Sequence, residues 1–168
     1  AFSKLLKDTH KIDVLSLNFD VRNLKEVQEA VKSIPDNWKK INVLVNNAGL
    51  AVGLNSIQEG VTDDWDRMID TNIKGLLYMT RTLVPLMTAN GFGHIVNLGS
   101  IAGKEVYAKG NVYCATKHAV DALSKSMRID LLPHHIKVTA IHPGMVETEF
   151  SIVRFKGDEE KAKNVYKG

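Results

Sequence analysis

The chain has 168 residues, 44% of them hydrophobic, with a formal net charge of +3; this suits one globular domain and is too apolar for a disordered chain. Charges of both signs are scattered without a block of either, and no apolar run approaches the ~20 residues that cross a bilayer, so composition argues against nucleic-acid binding and against a membrane protein. The single cysteine, Cys114, allows no internal disulfide and fits a reducing, cytoplasmic compartment.

In chain order, residues 12–19 (IDVLSLNF) read as a strand. Residues 23–34 carry Leu24, Val27, Ala30, Val31 and Ile34 at helical spacing, and Pro35 stops them. Residues 41–45 (INVLV) form a short apolar run, typical of a strand covered on both faces. Thr62 is expected to cap a helix whose first turn holds Asp63, Asp64 and Asp66, running to about Ala89 with a bend before Pro85. Residues 94–98 are the next strand, and 111–132 a long helix broken at Pro133. Residues 136–141 are another strand, ended by Pro143-Gly144. Strands alternating with helices imply an α/β domain with a parallel sheet and helices on both faces. Ligands of such sheets bind beyond the carboxyl ends of the strands. The four exits are Asp20, Asn46-Asn47-Ala48-Gly49, Gly99-Ser100 and His142-Pro143-Gly144. All are polar or glycine-rich, which suits a ligand-lined rim and equally suits ordinary turns.

The sharpest feature is Tyr113-Cys114-Ala115-Thr116-Lys117. Residues four apart share a helix face, and a lysine ammonium there is expected to lower the tyrosine pKa towards working pH. Such a phenol can give a proton to a carbonyl or take one from an alcohol. Ser100 follows the preceding strand and can polarise the same substrate oxygen; read alone, it is better explained as a turn serine. Asn72 falls on the apolar stripe of Trp65, Met68, Ile69, Ile73, Leu76 and Leu83, so it should be buried. Two readings stay open for it: an amide tying down a neighbouring backbone, or a holder of water in a proton path to Lys117. Gly49 and its small neighbours allow close approach of a ligand to the backbone. The six histidines show no metal-ligand spacing, and no metal is expected.

Taken together, Asn-Asn-Ala-Gly after a strand, Asn72 in Asp-Thr-Asn-Ile-Lys-Gly, Ser100, Tyr113 with Lys117, and Pro143-Gly144 resemble the classical short-chain dehydrogenase/reductase family over essentially the whole chain. The resemblance implies a Rossmann-type doubly wound sheet and hydride transfer with a nicotinamide nucleotide. It makes Tyr113 the general acid/base, Lys117 its partner and a ribose ligand, Ser100 the group that orients the substrate oxygen, and Asn72 the fourth member. It also implies cofactor contacts from Asp20, Asn46, Ala48, Gly49, Pro143, Gly144, Val146 and Thr148, and association as a homotetramer. The stretch from Pro-Gly-Met-Val-Glu-Thr-Glu-Phe-Ser through Val153-Arg154-Phe155-Lys156-Gly157-Asp158, then Lys161-Ala162 and Val165-Tyr166, resembles the NADP-dependent 3-hydroxy acid (serine 3-) dehydrogenase subgroup. That likeness implies NADP, with NAD still open, and a small hydroxy acid or carbonyl substrate. Arg154 is then a candidate ligand of the substrate carboxylate, and equally a surface arginine.

The family's glycine-rich phosphate turn does not occur in these 168 residues. Nor do the first two strands, which in the family lie between 12–19 and 41–45, or the last strand. Residues 1–168 are therefore expected to be one Rossmann-type domain in fragmentary form, with unpaired strand edges. Two other functions compete: a reductase of another carbonyl compound, such as a 3-oxoacyl chain, and a non-catalytic nucleotide-binding sensor or scaffold.

Overall fold

A computed structural model describes residues 2–146 and 148–164; Glu147 and the Val165-Tyr166 pair lie outside the described residues. Helix α1 (Phe2–His10) opens the fold and buries none of its residues. The strand expected over 12–19 is not formed: residues 11–20 carry no regular structure. A strand exists only by pairing, and no other strand among the described residues lies beside this one. Helix α2 (Leu24–Lys32) follows where the periodicity places it. Its start is fixed locally. The Asn23 side chain accepts from the amides of Lys25 and Glu26, and donates back to the Glu26 carboxylate at 2.8 Å.

The sheet has three parallel strands, β1 (Val43–Asn46), β2 (Gly93–Leu98) and β3 (Ile136–Ile141), in the order β1-β2-β3. Leu44 is in register with Ile95, and Ile95 with Val138, so these three point the same way and are all buried. They meet Leu83 and Met87 of α4 (Leu76–Ala89) and Val120 and Met127 of α5 (Asn111–Asp130), which form the main core. Among the described residues this is the only covered face. Val43, Val45 and Ile141 point away from it and stay about half exposed, where the apolar run at 41–45 predicted cover on both faces.

The helix expected from Thr62 to about Ala89 departs from expectation in three ways. Thr62 does not cap it. Val61 occupies the cap position with no side-chain bond, and Thr62 is the first residue of α3 (Thr62–Ile69). The helix then widens into a π turn over Asp70–Gly75, which contains Asn72, before α4 begins. Helical structure continues through Pro85, so the departure from regularity lies ten or more residues earlier than expected. The chain closes with α6 (Glu149–Arg154) and α7 (Glu159–Asn164). No described helix is long and apolar enough to cross a membrane.

Candidate active site

The exits of all three strands open on one edge of the sheet, with α5 running behind them. The first turn of α5 carries Tyr113 and the second Lys117, both buried, at 9% and 7% exposure. Lys117 Nζ lies 5.9 Å from the Tyr113 ring centroid, so the helical spacing brings the pair together. Ser100 follows β2 and begins a short 3-10 turn (Ile101–Gly103), its hydroxyl accepting from the Ala102 amide. This turn presses directly on α5. A Cβ at Gly103 would lie 2.5 Å from the Lys117 carbonyl oxygen, so only glycine fits there. The close packing sets the Ser100 side chain beside the Tyr113 phenol, near enough to lower its pKa. Ser100 is thus both the turn serine and a neighbour of the phenol.

The electrostatics differ from the sequence expectation. Burial is the largest influence on Tyr113 and raises its pKa; the hydrogen bond from Ser100 and the nearby Arg154 charge pull it back only in part. Burial also lowers Lys117, to about 8. The expected lowering of the phenol by the ammonium does not appear: Lys117 is not among the groups that shift Tyr113. Lys117 instead donates to the Leu98 carbonyl at 2.8 Å, and its own desolvation weakens the charge it offers.

Asn72 is buried, as the stripe predicted, at 2% exposure. Its Nδ2 donates to the Leu50 carbonyl at 2.9 Å and to Thr116 Oγ1 at 3.0 Å, and its Oδ1 accepts from the Leu50 amide at 2.9 Å. Of the two readings left open, the geometry supports the backbone tie. The tied loop holds Gly49 in the cleft: a Cβ there would meet Asn72 Oδ1 at 3.3 Å and Lys117 Nζ at 3.5 Å. Asn72 and Lys117 therefore face each other across Gly49.

The remaining expected residues divide by location. Asn46 turns into the core, donating to Asn97 at 2.8 Å and to Thr80 at 3.0 Å, while Asn97 donates to Ser124 at 2.9 Å. This buried network braces the floor of the cleft, so the Asn46 side chain is not on its surface. Ala48, Gly49 and Gly144 are exposed at the rim. Pro143 accepts from the Ile101 amide at 3.0 Å, and Val146 is exposed. Thr148 caps α6 by accepting from the Phe150 amide. Asp20 forms a two-oxygen pair with Arg22, which holds its carboxyl below the usual range, and it touches none of the other site residues. Thr116, Asn97 and Tyr107 were not singled out from the sequence. Asn97 had a signal: it is polar, two residues beyond the inward-facing Ile95.

Arg154 is not a surface arginine. It is 9% exposed, with its guanidinium 5.4 Å from the Tyr107 ring, 5.8 Å from that of Tyr113 and 6.0 Å from that of Phe155. Nε donates to the Gly53 carbonyl at 3.4 Å. No carboxylate among the described residues pairs with it. Asp64, the acid in the same wall, is taken by Lys156 at 2.9 Å and Arg67 at 3.9 Å. Arg154 lines a small pocket together with Tyr113, and also an open cavity of about 600 Å³.

Lys117 is the residue here that could hold a nucleotide ribose. An ammonium has three donors, and the Leu98 carbonyl takes one of them. Nζ lies beside the Gly49 loop, where its remaining donors could serve ribose hydroxyls. The family model for short chain dehydrogenase matches residues 1–159. The chain is 51% identical over 162 residues to the NADP-dependent 3-hydroxy acid dehydrogenase YdfG of Salmonella typhi, covering 96% of this chain and 65% of that protein. It is 42% identical over 165 residues to the NADP-dependent 3-hydroxy acid dehydrogenase of Schizosaccharomyces pombe, covering 98% of this chain and 64% of that one. Among solved structures, the closed form of a serine dehydrogenase complexed with NADP+ superposes with a TM-score of 0.92 at 47% identity, covering 98% of this chain and 67% of that chain. The chain thus spans about 65% of the length of the curated relatives it matches. With the parallel α/β sheet and the Ser100, Tyr113 and Lys117 cluster at its edge, these likenesses show that the chain belongs to the short-chain dehydrogenase family.

Proposed function

We propose that the protein oxidises a small 3-hydroxy acid such as serine or allo-threonine, reversibly, with NADP taking up the hydride. The observation that carries this reading is Arg154. No carboxylate among the described residues pairs with this buried guanidinium, which is unfavourable for it, and its place 5.8 Å from the ring of the acid/base tyrosine offers a paired site for a substrate carboxylate. The names of the relatives, NADP-dependent 3-hydroxy acid dehydrogenases, support the same substrate class.

The nucleotide, when bound, supplies the hydride acceptor. The chain's residues do the rest. Arg154 fixes the acid group, and Ser100 Oγ holds the carbinol oxygen beside Tyr113 Oη. Tyr113 Oη takes the hydroxyl proton as the carbonyl forms, and returns it in the reverse reaction. Lys117 Nζ would hold the ribose, and Asn72 keeps the Gly49 loop in position for it. Pro143, Gly144, Val146 and Thr148 would contact the nicotinamide part of the nucleotide, and Asp20 the adenine part. Because burial raises the phenol's pKa and oxidation needs the phenolate, oxidation should quicken as pH rises. We further place the protein in the cytoplasm as a homotetramer. The exposed Ile129 and Leu132 at the end of α5 supply apolar surface for association, and a light-scattering mass of one subunit would overturn that.

The test is NADPH formation by the intact protein with serine, and with the methyl ester of serine, across pH. The acid should turn over and the ester should not. Arg154→Ala should raise KM for the acid about 100-fold, the scale of a lost charged hydrogen bond. Tyr113→Phe should lower kcat on the order of 10²-fold or more with nucleotide affinity kept. Equal rates for acid and ester would end the hydroxy-acid reading.

A further inference from the structure

The segment after β2, which carries Ser100, is laced to the segment after β3 by three consecutive contacts. The Gly99 amide donates to the Ile141 carbonyl at 2.7 Å, and the Ile101 amide to the Pro143 carbonyl at 3.0 Å. Between them, His142 Nδ1 lies 3.1 Å from the Ser100 carbonyl oxygen. The other ring nitrogen, Nε2, lies 3.4 Å from Asp121 Oδ1. His142 is thus the one side chain in this seam, and it joins the Ser100 peptide to a carboxylate.

That carboxylate sits on α5. Tyr113, Lys117 and Asp121 follow at four-residue intervals, one face of one helix. Asp121 also pairs with Lys104 at 2.7 Å and Lys125 at 2.8 Å, which hold it ionised with a pKa of about 2. Lys104 ends the 3-10 turn that Ser100 begins. One carboxylate therefore grips the Ser100 turn at both ends, through His142 at the front and Lys104 at the back. The Ser100 carbonyl can only accept, so the ring nitrogen that faces it, Nδ1, is the donor of that contact. The charged groups facing the ring are Asp121 and the two lysines on that acid, Lys104 and Lys125.

We infer that His142, oriented by Asp121, is a positioning residue that fixes the Ser100 peptide, and with it the Ser100 hydroxyl, relative to Tyr113 on the same helix. This rests on Ser100 acting on the substrate oxygen, as proposed above. Small displacements of a reacting group carry large rate penalties, so the effect should appear in kcat and not in nucleotide binding.

The test is a double-mutant cycle on the intact protein, with NADP affinity measured by fluorescence titration. His142→Ala should lower kcat about tenfold with NADP affinity unchanged, and His142→Asn, which restores one donor to the Ser100 carbonyl, should recover most of it. In a Ser100→Ala background, His142→Ala should cost nothing further, because the group it positions is gone. Asp121→Asn, a change that keeps the size and shape of the side chain, should lower kcat in the same direction and keeps the test available if His142→Ala fails to fold. A slow Ser100→Ala enzyme beside His142→Ala or Asp121→Asn at wild-type kcat would overturn this inference alone. So would equal losses from His142→Ala with and without the Ser100 hydroxyl. A Ser100→Ala enzyme of unaltered kcat would overturn the earlier reading and this one with it.

Discussion

Burial moves the two members of the Tyr113–Lys117 pair in opposite directions, because each resists becoming charged away from water. For Lys117 the consequence reaches stability. Its folded pKa is about 8, below its ordinary value of 10.5. Between those values the unfolded chain holds a proton that the folded chain has released, so stability rises with pH through that window. Below about 8 the folded chain carries the desolvated ammonium, at a cost of at most about 3 kcal/mol. Lys117→Met removes the titrating group. In urea titrations of the nucleotide-free protein, the stability of the mutant relative to wild type should therefore fall as pH goes from 8 to 10. A difference that stays flat would mean the ammonium is not desolvated. The pairing of these two residues was legible in the sequence, because i, i+4 spacing fixes their proximity. The direction of each shift was not, because it depends on how much water the 3-10 turn at Ser100 and the end of β2 exclude.

The π turn at Asp70–Gly75 belongs to the scale of elements. The apolar stripe placed Asn72 inside correctly, but one wide turn among several regular ones does not change the stripe enough to be read. What favours the wide turn is tertiary: Asn72 bonds to Leu50 in one loop and to Thr116 in α5. Thr116 is 1% exposed and donates its own hydroxyl proton to the Tyr113 carbonyl at 2.8 Å, so it stitches the π turn to α5. Thr116→Val keeps the shape and deletes the acceptor for one Asn72 proton. It should destabilise the protein by about 1–3 kcal/mol, the cost of leaving a buried donor unpaired, and Thr116→Ser should recover most of the loss. A Thr116→Val protein with an unchanged urea midpoint would show that the amide finds another partner. The cap at 62 was misread for a related reason. Threonine and three aspartates look like a helix start, yet Asp64 is drawn into pairs with Lys156 from elsewhere in the fold and with Arg67 one turn along the same helix.

At the scale of the molecule, the sequence and the described residues disagree about how much of the sheet is covered. The run Ile41–Val45 has no polar alternation beyond Asn42, which encodes a strand with two covered faces. The fold covers one: Leu44 is 6% exposed, while Val43 and Val45 are 55% and 54% exposed. Among the described residues β1 also pairs on one side only, with β2, and so presents a row of unpaired amides and carbonyls along its other edge. Apolar side chains beside an open strand edge are the ingredients of edge-to-edge association. The strand-like stretch at 12–19 adds to them, since its Ile12, Leu15 and Leu17 are exposed and it has no ladder. A polypeptide of these 168 residues prepared alone should therefore bind a hydrophobic dye such as ANS, elute as polydisperse oligomers, and unfold in urea over a broad range. Charged substitutions at Val43 and Val45 together should reduce dye binding and oligomer size, because they disrupt the exposed face without touching the core packed on α4 and α5. A monodisperse, dye-free polypeptide with a sharp unfolding transition would mean that these side chains are covered in solution, and the one-sided sheet would then be wrong as a description of it.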